Sequence, residues 1–83
     1  MNLMDTVELM NSDNYKDRFI AEYQQLKIRT ENLEKILIKL QAGTLEFQPE
    51  CSIELLGEQH RCMVSYLSCL KIRAEIEHID LED

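Results

Sequence analysis

Tryptophan is absent from this chain, proline occurs once, glycine twice, and only three tyrosines and two phenylalanines are present among 83 residues. A sheet protein needs a turn every few residues, and turns draw on glycine, proline and aspartate-glycine pairs, so this scarcity argues for long uninterrupted helices. No apolar run approaches the roughly 20 residues that a membrane-spanning helix requires. Cys51, Cys62 and Cys69 are odd in number and none forms a CxxC pair. With no signal-peptide pattern ahead of them, they read as reduced thiols in a cytoplasm. There is no glycine-rich phosphate loop and no HExxH, and His60 and His78 do not cluster with the thiols at the spacing of a zinc site. Neither a metal, a cofactor nor a catalytic role is expected.

What is present is a short, acidic chain, 45% of whose residues are hydrophobic. Eighty-three residues form one domain at most, and a chain of this size buries a smaller share of its surface than a typical domain. Sixteen acidic against nine basic residues give a formal charge of −7, which disfavours duplex nucleic acid and anionic membrane as partners. The acids concentrate towards the ends, and most Lys and Arg lie between Lys16 and Arg73, which leaves room for a local basic site.

Residues 1–14 read as a tail or short helix, with Leu3, Val7 and Met10 at i, i+4, i+7. Ser12 or Asp13 is the expected N-cap of the helix that follows. From Tyr15 to about Gln41 the apolar positions Phe19, Tyr23, Leu26, Leu33, Leu37 and Leu40 step by four and three, with Thr30 in the missing slot. This is a coiled-coil-like seam. Gly43 supplies a left-handed cap, and the connector Thr44–Cys51, with Leu45, Phe47 and Pro49, is apolar enough to fold over the tip. Ser52 caps a second helix running from Ile53 to about Ile79.

The expected architecture over residues 15–81 is therefore an all-α, antiparallel two-helix hairpin. Folding the seam about the connector pairs Leu37 with Leu56, Thr30 with Met63, Tyr23 with Leu70 and Phe19 with Arg73. The second helix carries more apolar surface than one neighbour can cover. A homo-oligomer is expected through its face containing Cys62, Met63, Tyr66, Leu67 and Leu70.

Glu75 and Glu77, two apart on a helix, point in different directions and read as a solvated acidic face. Gln59, Arg73 and Thr30 are polar at seam positions, where they set register or pair across an interface. A second use of the same residues is a ligand site. Arg73 approaches Tyr15 and Arg18 at the open end of the hairpin, where two guanidinium groups and a ring can hold a phosphate and stack a base.

The segments Tyr15-Lys16-x-Arg18-Phe19-x-x-Glu22-Tyr23, Gly43-Thr44-Leu45-x-Phe47-x-Pro49-x-Cys51, Leu55-Leu56-x-x-Gln59, Met63-x-x-Tyr66-Leu67 and Arg73-Ala74-x-Ile76-Glu77-x-Ile79-Asp80-Leu81 together resemble a family of small phage and prophage proteins of gut bacteria, described as crAss-like phage-related. The resemblance spans about residues 15–81 and implies a small accessory phage protein acting in the bacterial cytoplasm. Such proteins often blunt host defence, some by sequestering the nucleotide signal of an immune pathway. The expected function is therefore non-catalytic capture of a cyclic nucleotide or ADP-ribose-type signal through Tyr15, Arg18 and Arg73. The alternative is a protein–protein module that blocks or assembles a host or phage protein through its apolar helix face.

Overall fold

The computed structural model describes residues 3, 6, 7, 11 and 14–81. Two helices dominate, α1 over Tyr15–Ala42 and α2 over Ile53–Glu77, packed antiparallel in an elongated body of 43 × 25 × 19 Å. No strand occurs among the described residues. The long dimension matches 28 residues of helix at about 1.5 Å each.

Each helix end has a chemical cause. Ser12 and Asp13, the expected caps of α1, lie outside the described residues; its N-cap is Asn14, the residue after Asp13. The Asn14 side chain accepts from the Lys16 N–H at 2.8 Å, and Asp17 places a negative charge in the first turn. Gly43 ends α1 in the left-handed region, φ 75°, and the N–H groups of Gly43 and Thr44 bond back to Leu40 and Lys39. A Cβ there would meet nothing within 4 Å, so glycine is required for its backbone conformation and not for space. Ser52 caps α2 as expected, accepting from the Leu55 N–H at 3.1 Å.

α2 stops at Glu77, two residues short of the expected end, because His78 adopts φ 58°, ψ 42°. The reversal lets the Ile79 N–H reach the Ala74 carbonyl at 2.9 Å and turns Ile79 inward. Ile79 then joins Phe19, Tyr23, Leu70 and Ala74 in the buried core, with Ile20, Leu26, Leu67 and Leu81 packed around it. The core thus sits at the open end of the hairpin, where the tail after α2 supplies a third layer. A left-handed histidine is strained where glycine is not. His78→Gly is accordingly expected to raise stability by about 0.5–1 kcal/mol, read as a melting temperature several degrees higher; an unchanged or lower melting temperature would contradict the strain.

The seam register follows the sequence at this end, with Tyr23 and Leu70 in one cluster and the Arg73 guanidinium 4.9 Å from the centre of the Phe19 ring. Along α2, however, the side chains turned inward are Leu56, His60, Met63, Leu67, Leu70 and Ala74, stepping by four and three. Gln59 and Arg73 are exposed and flank the seam; His60 stands in the line, with Nε2 buried and without a hydrogen-bond partner. Thr30 is buried, yet its hydroxyl donates to the Leu26 carbonyl of its own helix at 2.7 Å and so carries no register information across the seam.

At the two ends the expectations need adjustment. Leu45 and Pro49 of the connector are half-buried, but Phe47 is 60% exposed, so the tip is covered only in part. In the N-terminal segment Leu3 and Val7 are helical but exposed, while Thr6 is fully buried. Gln25 donates to the Thr6 hydroxyl at 3.0 Å, and Thr6 donates to the Leu3 carbonyl at 2.7 Å. A polar contact holds this segment on α1 where an apolar stripe was expected; Met10 lies outside the described residues. Gln24, also buried, donates to the Leu81 carbonyl at 3.1 Å and fastens the C-terminal tail.

Candidate functional site

Of the residues singled out at the open end, Tyr15 and Arg73 meet. Tyr15 opens α1, Phe19 lies one turn on, and Arg73 stands near the end of α2, so antiparallel packing brings all three to one edge. Arg73 Nη2 donates to the Tyr15 hydroxyl at 2.8 Å, and that hydroxyl donates to Glu77 Oε1 at 2.9 Å. Arg73 Nε lies 3.4 Å from Glu77 Oε2, an i, i+4 ion pair with side chains 49% and 34% exposed. The Tyr15 and Phe19 rings are 6.2 Å apart at 54°, and the guanidinium covers Phe19, which adds a cation–π contact.

The electrostatics follow from this closed triangle. Desolvation lowers the Arg73 pKa, but the Tyr15 hydroxyl and the Glu77 carboxylate outweigh it and raise the pKa above the ordinary value, so the guanidinium stays charged. Two turns along, the Tyr66 hydroxyl donates to the Glu22 carboxylate. That bond raises the phenol above its usual range; desolvation and the charge of Glu22 add to the rise, and Arg73 opposes it. Two phenols, one guanidinium and two carboxylates thus line one edge of the hairpin. Arg18 is exposed on the first turn of α1.

Beyond Glu22 and Tyr66 the same two helices bound a groove of about 480 Å³, lined by Leu26, Arg29, Asn32, Leu33, Ile36, Gln59 and Met63. Its wall is apolar and its polar groups are one guanidinium and two carboxamides. The Gln59 amide approaches the Met63 sulfur at 3.9 Å, a weak contact that leaves most of its hydrogen-bonding capacity open. The volume falls in the range of small-ligand sites.

Glu77 was read from sequence as part of a solvated acidic face. It is instead half-buried and held by Arg73 and Tyr15. The i, i+4 spacing from Arg73 to Glu77 was the available signal, while the bond to Tyr15 spans 62 positions and depends on the helix pairing. Of the residues expected at an oligomer interface, Leu70 is buried in the core, Met63 and Leu67 are half-buried along the seam, and Cys62 and Tyr66 are exposed. Leu55, Val64, Tyr66, Ile72 and Ile76 give α2 five large hydrophobic side chains more than two-fifths exposed.

No group of three or more His, Cys, Asp or Glu able to hold a metal is present among the described residues, and no helix of theirs is long and apolar enough to cross a membrane. The three cysteines are exposed free thiols. Fold and site together define a small all-α hairpin with a polar, aromatic-edged surface at its open end. The Sequestin family profile matches residues 13–76, most of the chain, and the protein belongs to that family. The family name points to sequestration of a molecule. No curated protein and no solved structure matched the chain.

Proposed function

We propose that this Sequestin-family chain is a phage-derived, non-catalytic protein that antagonises bacterial immunity in the host cytoplasm by sequestering a nucleotide-derived signalling molecule. The observation that carries the reading is the meeting of Tyr15 and Arg73 at one edge above the buried Phe19 ring, which offers a guanidinium for phosphate beside the exposed Tyr15 ring, on which a base stacks. The neighbouring groove supplies an apolar wall with carboxamides suited to a base edge. Arg18 is assigned to the same ligand from its place on the first turn of α1. Sequestration, the role the family name denotes, asks for nothing more than such a surface.

The binding unit is proposed to be a homo-oligomer. The chain exposes 6116 Å² of accessible surface, against about 5,200 Å² expected of a folded monomer of 9.8 kDa. An elongated body of 43 × 25 × 19 Å carries an excess of about 900 Å² by its shape, so the support for association is the apolar side chains that α2 leaves exposed. The exposed side chains of α2 are the surface to be covered, with Cys62 and Tyr66 at its margin.

Cyclic dinucleotides, cyclic trinucleotides and ADP-ribose derivatives form the panel that tests the reading. A ligand bound at 100 times its Kd is expected to stabilise the native protein by about 2.7 kcal/mol, and Arg73→Ala to abolish that thermal shift while helicity is retained. A shift that survives Arg73→Ala would place the ligand elsewhere. No shift with any member of the panel would favour the protein-blocking alternative, for which the exposed apolar face of α2 is the supporting observation.

A further inference from the structure

Arg73 is the cation on which ligand capture turns, and in the free chain it already has an anion. Glu77 pairs with it from the next turn of the same helix, and Tyr15 bridges the two by accepting from Arg73 and donating to Glu77. One face of the guanidinium is covered by the Phe19 ring. An incoming phosphate therefore finds the Nε–Nη2 edge of the guanidinium already faced by Glu77 and Tyr15, with Nη1 as the remaining donor. It finds the Glu77 carboxylate beside Nε, and the Glu22 carboxylate two turns along α1 from Tyr15. Both members of the ion pair are partly exposed, so the carboxylate can swing into water without opening the core.

We infer that Glu77 is an affinity- and specificity-setting residue of this site, a built-in anion that holds the place at Arg73 until a ligand phosphate displaces it. The inference rests on the reading above that Arg73 receives an anionic group. Its consequence is selective. A lone phosphate gains one exposed ion pair and loses another, which leaves little net attraction. A ligand with a second phosphate, or with a base that stacks on the aromatic edge, adds contacts for which Glu77 offers no equivalent. Glu77 thus raises the threshold against abundant simple phosphates and lets a larger nucleotide-derived anion through.

The test uses inorganic pyrophosphate as probe on the full chain, with binding followed by calorimetry for the wild type, Glu77→Gln, Glu75→Gln and the Arg73→Ala/Glu77→Gln double variant. Gln at 77 keeps an oxygen that can accept from Tyr15, so the fold is expected to hold, and far-ultraviolet circular dichroism verifies this. Glu75 is exposed two positions away and controls for the loss of one negative charge at large. The expected result is pyrophosphate binding about fivefold tighter in Glu77→Gln than in wild type, little change in Glu75→Gln, and no binding in the double variant. Equal affinity in wild type and Glu77→Gln, including no binding by either, would overturn the inference, as would an equal gain in Glu75→Gln. The nucleotide panel is read separately. If Glu77→Gln gains pyrophosphate affinity while wild type binds no panel member, Glu77 guards an anion site and the nucleotide reading fails alone.

Discussion

Leu70→Ala is expected to cost about 3 kcal/mol, enough to leave a substantial part of the population unfolded in mild denaturant. Leu70 is 1% exposed and lies among Phe19, Tyr23, Ala74 and Ile79, the only fully buried cluster that joins the two helices and the C-terminal tail among the described residues. A chain of this length has roughly 4–12 kcal/mol of stability in all, so loss of one central leucine removes a large fraction. The cavity cannot collapse easily, because α1 and α2 are held at their spacing by Tyr23 on one side and by Ile79 on the other. Ile38→Ala, at a position 58% exposed, is the control and should stay within about 0.5 kcal/mol of wild type. Urea unfolding followed by circular dichroism measures both, and a Leu70→Ala loss below about 1 kcal/mol would show that the core lies elsewhere.

The second large effect concerns assembly. Ile72 and Ile76 are 61% and 71% exposed on α2, among the most open large apolar side chains of the described residues. If copies of the chain cover this surface, Ile72→Asp/Ile76→Asp buries two charges against an apolar neighbour and is expected to weaken association at least a hundredfold. Light scattering coupled to gel filtration should then show wild type as an oligomer and the double variant as a monomer of about 9.8 kDa. A wild type that is itself a monodisperse monomer at tens of micromolar would contradict the proposed assembly.

The fold was legible because its signals are local. The four-and-three spacing from Phe19 to Leu40 defines a helix with one sticky face, and Gly43 and Ser52 mark where the chain must turn and restart. Pairing the two stripes about that turn then brings Arg73 to Phe19 and Tyr15. The register of α2 was harder to read. Its apolar residues cover so much of the helix that Gln59 and His60 compete for the same slot, and only the neighbouring helix decides between them. The C-terminal end was hidden for another reason. The residue that turns the chain back onto the core is a histidine in a left-handed conformation, a position that sequence habit assigns to glycine or asparagine.

At the site, the sequence marked the cation and the ring but missed the counter-charge. Glu77 looks like any surface acid until Tyr15 is brought to it from the far end of the hairpin. Glu22 and Tyr66 were hidden in the same way, since their contact joins positions 44 apart. The groove between Leu33 and Met63 is lined by side chains from both helices, so it depends on their pairing, which no spacing rule within one helix records.

The measurement closest to the central claim is native mass spectrometry of the purified chain mixed with cyclic dinucleotides, cyclic trinucleotides and ADP-ribose derivatives, followed by denaturation and weighing of the released small molecule. The account predicts discrete adducts on an oligomer, absent in Arg73→Ala, from which the ligand is released at its original mass. Release of a cleaved or altered molecule would contradict a non-catalytic sponge, and an oligomer that takes up none of the panel would contradict nucleotide capture.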